Sequence, residues 1–230
     1  MSKTGYKIET LKNLFGKMKN IYNDYMVKDE LPKMCVSSGN TKIGKVLNVS
    51  LPPMMTCSNC KGCKHYCYDI SACLRYSNCL DARIRNLVVL EKNRDEYFSR
   101  IDLKCSRRRK NKYFRWHVAG DIVDIDYFDR MVKIAKKHDD FIFWTYTKNY
   151  SVVNEYVRQH GIDSIPKNFF IMFSEWRGMP IDNPFGFPEF SCHFPDEKPR
   201  GMWKCPGNCD ICKRLSRGCI AGENTYADLH

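Results

Sequence analysis

The chain has no apolar run approaching the ~20 residues that a bilayer-crossing helix requires, which excludes a helical membrane span and predicts a soluble protein without a membrane partner. It also lacks a secretory leader, since Met1 runs straight into a charged, helix-like segment. That predicts a reducing cytoplasm and argues against a disulfide framework. Acidic residues are the third shortage. Lys and Arg number 38 against 26 Asp and Glu, a formal net charge of +12, and such an excess points to a polyanionic partner, nucleic acid. The densest basic run is Arg107, Arg108, Arg109 and Lys110 with Lys112 close behind, and Lys133, Lys136 and Lys137 form a smaller group. Each run is equally well read as a solvated loop or helix face. A length of 230 residues suffices for one substantial core with a small appendage.

What the chain has in abundance is cysteine, thirteen in all. Cys57, Cys60, Cys63 and Cys67 read CxxCxxCxxxC, and Cys205, Cys209, Cys212 and Cys219 form a second group whose first three members read CxxxCxxC. Gaps of two or three residues let the backbone curl around one soft cation or cluster so that successive sulfurs point inward. The first spacing is that of bacterial ferredoxins, but there proline follows the fourth cysteine, whereas here Tyr68 does, so the metal chemistry is carried over and the ferredoxin fold is not. A 4Fe-4S cluster is the expected cofactor and structural zinc the alternative at each group; one cluster drawing ligands from both groups also stays open. Cys35, Cys73, Cys79, Cys105 and Cys192 read as small buried apolar residues.

Hydrophobic periodicity predicts an amphipathic helix over residues 7–27, its stripe running from Ile8 through Leu11, Leu14, Phe15, Met18 and Ile21 to Met26. Residues 36–56 read as a loop around a β-prone stretch, Val46 to Leu51, and Leu80 to Arg100 reads as helix. Then strand and helix alternate: strands at Tyr113–Ala119, Phe141–Thr147 and Phe169–Ser174, with helices at Asp126–Lys137, capped by Asp126, and Ser151–Gln159. A fourth strand is expected around Phe190–Phe194. Nearly continuous apolar strands joined by helices mean a parallel sheet covered on both faces. The fold class is therefore α/β: a partial parallel (β/α) barrel-like sheet with an N-terminal helix and cysteine-rich metal-binding loops. Residues 1–195 would be the α/β metal-binding domain, with its β/α core at 80–195, and 196–230 a cysteine-rich tail packed on it.

Active sites in parallel α/β folds gather where strands end. The first strand ends in His117, Gly120 and Asp121, the second in Thr145, Thr147 and Lys148, the third in Ser174 and Glu175. His117 with Asp121 is the leading pair, and Lys148 and Glu175 complete the candidate set. Each has a plain structural alternative, a satisfied core histidine or a surface charge.

Asn40-Thr41-Lys42-Ile43-Gly44, Ser50-Leu51-Pro52, Cys63 to Tyr68, Arg115-Trp116-His117-Val118-Ala119-Gly120-Asp121 and Phe143-Trp144-Thr145-Tyr146-Thr147-Lys148 together resemble the gene product 88 family of phage and mobile-element proteins. Ala119 departs from the serine common at that place in the family. The resemblance implies a viral or mobile-element origin, hence the host cytoplasm, and a metal site, but no settled reaction. A weaker likeness links the cysteines and polar strand ends to radical S-adenosylmethionine partial barrels, although here CxxxCxxC follows the sheet rather than the first strand. The expected function is a phage-type iron–sulfur protein acting on or binding nucleic acid, with a radical-type reaction using S-adenosylmethionine as its enzymatic form. The alternative is a noncatalytic, metal-stabilised module that binds nucleic acid or a host protein, as a viral regulator or host-defence antagonist.

Overall fold

The computed structural model describes residues 5–57, 59–194, 197, 199 and 201–229. Its first helix, α1 (Ile8–Met26), buries Leu11, Leu14 and Met18 and leaves its lysines outside. The stripe packs on the chain itself, against Ile70 and Cys73 of α2 (Tyr68–Arg75) and Leu80, Ile84 and Val88 of α3 (Ser77–Lys92), in a small core of its own. The single helix expected at Leu80–Arg100 is two, α3 and α4 (Arg94–Ser106). Asn93 leaves helical geometry between them, and its side chain accepts the Glu96 N–H at 2.9 Å, capping α4.

Among the described residues, seven strands form one parallel sheet: β1 (Leu47–Val49), β2 (Tyr113–Trp116), β3 (Ile142–Thr147), β4 (Phe169–Ser174), β5 (Glu189–His193), β6 (Trp203–Lys204) and β7 (Thr225–Asp228), in the order β1-β2-β3-β4-β5-β7-β6. The parallel sheet and the N-terminal helix are as the sequence predicts. The sheet is open, with edges at β1 and β6. The expected domain boundary at Pro195 lies outside the described residues. Beyond it the chain is more than an appended tail, because β7 inserts between β5 and β6 and pairs with both.

Helices α5 (Ile125–Lys137) and α6 (Tyr150–His160) make the crossovers β2 to β3 and β3 to β4. Since β1 to β5 follow one another in space, right-handed crossovers all step the same way and put their helices on a single face. Phe114, Trp116, Phe143, Phe169, Ile171 and Phe173 accordingly face α3 to α6 in the main core. Burying each such side chain is worth about 1.5–3 kcal/mol relative to exposure. The alternating positions Trp144 and Met172, with Ile142, Tyr146 and Phe170, face the opposite way. There they meet Ile43, Val46 and the C-terminal Cys212, Cys219 and Ile220, so the tail covers the face that the crossover helices leave bare. α5 is capped by Asp124, whose carboxylate accepts the Tyr127 N–H at 2.8 Å; the expected cap, Asp126, instead pairs with Arg94 and Arg130.

Candidate metal centre and strand-edge site

β1 leads straight into the first cysteine loop, so residues 50–67 lie at the C-terminal edge of the sheet. Asn59 Nδ2 donates to the Lys148 carbonyl at 2.6 Å, tying the loop to the end of β3. Cys60 and Cys63 bring their sulfurs to 4.0 Å within reach of Cys57 and Cys67, and Cys63 also feels the charges of Lys148 and Asp121. The hydrogen bond that the Cys60 thiol donates to Cys57, with burial, pushes Cys60 up to about 12. Burial and the Asp69 carboxylate raise Cys67 to about 11. Cys60, Cys63 and Cys67 thus resist ionising alone, and a bound cation would take them as thiolates. Gly62 is small because Trp176 rests on it, and a Cβ there would meet the indole Nε1 at 2.8 Å.

Asp121 belongs to the same edge. Two left-handed residues, His117 (φ 53°) and Gly120 (φ 84°), turn the chain after β2. A Cβ on Gly120 would meet Leu51 Cβ at 2.7 Å and Thr56 Oγ1 at 2.8 Å, so only glycine allows this crossing with the start of the cysteine loop. The turn aims Asp121 inward, where it accepts from Thr147 Oγ1 (2.6 Å), the Ile122 N–H (2.7 Å) and the Lys148 N–H (2.9 Å). Burial pushes its carboxyl up, against the downward pull of the Thr147 hydroxyl and the two amides. Lys148 Nζ donates to Ser174 Oγ at 2.7 Å, joining the ends of β3 and β4.

His117 goes elsewhere. Its ring is buried under α5, with Nε2 3.0 Å from the Tyr127 hydroxyl and Nδ1 3.3 Å from Thr145 Oγ1. Burial, with the nearby Arg115 charge, lowers it from 6.5 to about 3, so it stays neutral. The structure therefore brings Asp121 and Lys148 to the cysteine loop and assigns His117 to the core, its plain structural alternative. Glu175 is exposed on the rim of a cleft of about 440 Å³ shared with Trp176, Cys192, His193 and Glu197. In that cleft Ser191 Oγ lies 2.7 Å from His193 Nε2, with Glu197 3.5 Å from Nδ1, which has no hydrogen-bond partner among the described residues. Sequence reasoning placed His193 on a strand without giving it a role. Its signal was available, because Ser191 and His193 are two apart and so share a strand face.

The second cysteine group lies on the tail-covered face rather than at the edge. Cys209 and Cys212 come from α7 (Cys209–Leu215) and Cys219 from the turn after it, and Cys209, Cys212 and Cys219 each feel the Cys205 sulfur. The Tyr146 hydroxyl donates to Cys219 Sγ at 2.7 Å. The Asn40–Gly44 turn docks α7: the Cys209 N–H donates to the Lys42 carbonyl at 3.0 Å, and Gly44 sits against the Asp210 carboxylate. Each four-cysteine group thus draws together, although among the described residues no set of three or more His, Cys, Asp or Glu is closed tightly enough to hold a metal ion. Of the five spare cysteines, Cys73 and Cys105 are buried as expected, while Cys35, Cys79 and Cys192 are half-buried.

The basic run Arg107–Lys110 follows α4 and precedes β2, at the N-terminal edge of the sheet, where Arg108 donates to the Lys45 carbonyl. Lys136 and Lys137, at the end of α5, share that edge. A strand of six residues separates this edge from the cysteine loop by ~20 Å. No helix among the described residues is long and apolar enough to cross a membrane.

The molecule is thus a thiol-rich parallel α/β protein whose first cysteine loop crowns the strand ends. The family model described as gene product 88 matches residues 25–179, and the chain belongs to that phage and mobile-element family. The match takes in the first cysteine group, Asp121 and Lys148 and stops short of the second group. No curated protein and no solved structure matches the chain.

Proposed function

We propose that this protein is an iron–sulfur protein that binds nucleic acid and acts at the C-terminal strand edge. The observation that carries the reading is the convergence of the Cys57–Cys67 loop with Asp121 and Lys148, four soft ligands beside a buried carboxylate and an amine. Four thiols on one short loop are a donor set whose chemistry suits a 4Fe-4S cluster, with zinc as the alternative. Cys57, Cys60, Cys63 and Cys67 would hold it fully ligated; with only three of them as ligands one iron would stay open, and the cluster would then supply one-electron chemistry to S-adenosylmethionine. In this reading Lys148 would fix an anionic group of a substrate, and Asp121 would fix the backbone of Lys148 through the amide N–H it accepts. The bare basic edge, Arg107 to Lys110 with Lys136, would hold the phosphate backbone at a distance from the cleft.

A second reading has one observation in its favour. The basic run and the cysteine loop occupy opposite edges, the arrangement expected if metal only organises the loops of a noncatalytic module that binds nucleic acid or a host protein. Anaerobic purification followed by iron, zinc and acid-labile sulfide analysis separates the two. Brown protein with iron and sulfide is expected, and colourless protein holding zinc alone would sink the cluster. Partial-barrel curvature of the sheet belongs to the same proposal, and its support is the one-way order of β1 to β5.

A further inference from the structure

Arg115 projects from the middle of β2 onto the face covered by the C-terminal tail. Its Nε is buried with no hydrogen-bond partner, and no carboxylate among the described residues pairs with it. Its guanidinium lies over the Tyr146 ring, 4.7 Å from the centroid, and the groups that face its charge are the Tyr68 and Tyr146 hydroxyls and the thiols of Cys209 and Cys219. Arg115 as a whole is half-buried, and enclosing a guanidinium nitrogen with neither acceptor nor anion costs free energy. The cost makes sense if the anion is the thiol group itself in its metal-bound state.

We propose that Cys205, Cys209, Cys212 and Cys219, drawn together but not closed in this structure, close on a metal ion as a four-thiolate centre of net negative charge, separate from the first group, with Arg115 as its counter-cation. The inference rests on the reading of the cysteines as metal ligands and deepens it. Metal binding strips each thiol of its proton. A divalent ion under four thiolates then leaves a net charge of about −2. Arg115 offsets part of that charge from the sheet side, and the Tyr146 hydroxyl offsets more by donating to Cys219. Trp203 closes the outer side, lying where a Cβ on Gly218 would meet its ring at 2.9 Å, and its indole N–H faces the Cys212 sulfur. The Arg115 guanidinium, the Tyr146 hydroxyl and the Trp203 indole thus converge on one thiol group, the surroundings that a negatively charged centre would use. The two groups are separate because their surroundings differ: Lys148 and Asp121 face Cys63 at the strand edge, whereas Arg115 and Tyr146 face Cys209 and Cys219 on the sheet.

The test uses the full chain loaded with zinc, with Cys212→Ser marking the metal equivalent that belongs to this group. Arg115→Met keeps the length of the side chain and removes its charge, and Arg115→Lys keeps the charge. The Cys212-dependent equivalent should leave to a chelator at least about tenfold faster from Arg115→Met than from the wild type, and within about threefold of wild type from Arg115→Lys. Stripped of metal, Arg115→Met should melt above the stripped wild type; loaded, it should melt below. Equal release rates and an unchanged order of melting would overturn the role of Arg115 while leaving metal binding intact. A wild type holding no Cys212-dependent metal would overturn the centre as well. Failure of Arg115→Met to fold where the stripped wild type folds also refutes it, because an apolar chain there should relieve the metal-free protein.

Discussion

His117 gives a prediction with a defined sign. In the folded protein it stays neutral down to about pH 3, against an ordinary value of 6.5. The groups facing it are the Tyr127 hydroxyl, the Thr145 hydroxyl and the Arg115 charge, and none of them rewards a proton on the ring. A histidine whose folded value is depressed binds its proton better unfolded, so its contribution to stability is full above 6.5 and drains away as pH falls towards 3. From about pH 7.5 to about pH 5 the loss is on the order of 2 kcal/mol, and for a chain of this size each kcal/mol moves Tm by about 2–4 °C. His117→Asn suits the left-handed backbone at φ 53° and removes the titration. Melting both proteins at the two pH values should show the wild type losing about 4–8 °C more than the variant, and taking this difference cancels the remaining histidines and any acid release of metal. Parallel pH dependence, or a His117 ring resonance titrating near its ordinary value, would refute the assignment of His117 to the core and return it to the site.

Asp121→Asn should put an amide donor against the Lys148 or Ile122 N–H and cost about 2 kcal/mol, measured by denaturant unfolding, because a charge-assisted bond is lost and a buried donor stranded. Retained metal with lost nucleic-acid-dependent activity would support a working role, and unchanged stability would contradict the hydrogen bonding described. Gly120→Ala should destabilise by about 1–3 kcal/mol, since φ is 84° and the new methyl would strike Leu51 and Thr56; a neutral result would mean that the crossing is loose. Changing Arg107, Arg109 and Lys110 to Gln should flatten the salt dependence of nucleic-acid binding by about 0.7–0.9 log units per lost phosphate contact. Unchanged slopes would place the phosphates elsewhere.

The sheet was legible because β3 and β4 are short, apolar and bounded by helices, and the strand-end rule pointed to Asp121 and Lys148, which the fold brings to the cysteine loop. The rule failed at His117 for a local reason. Tyr113 to Ala119 reads as one strand, but the strand stops at Trp116 and the left-handed residue that follows swings the imidazole under α5. A pattern of side-chain types carries no sign for φ, and histidine is not the residue that announces such a turn. The break at Asn93 was hidden in the same way, because Leu80 to Arg100 keeps helical composition across it. The strands β6 and β7 were missed because they are two and four residues long, too short to show alternation.

Arg115 was hidden for a reason that belongs to topology. Within Arg115-Trp116-His117 it reads as one polar residue in a strand, and the alternation alone would let it face water. The one-way crossovers decide otherwise. They put all the connecting helices on one side and leave the other side of β2 to β4 for the C-terminal segment, which arrives carrying cysteines. A face of Trp144, Met172 and Phe170 needs an apolar cover, and a cysteine-rich loop supplies one only if its sulfurs are turned inward. Turning them inward brings them to Arg115. The charge on β2 and the thiols of the tail, some ninety residues apart in the chain, therefore make sense only as a pair, and neither is intelligible from its own stretch of sequence.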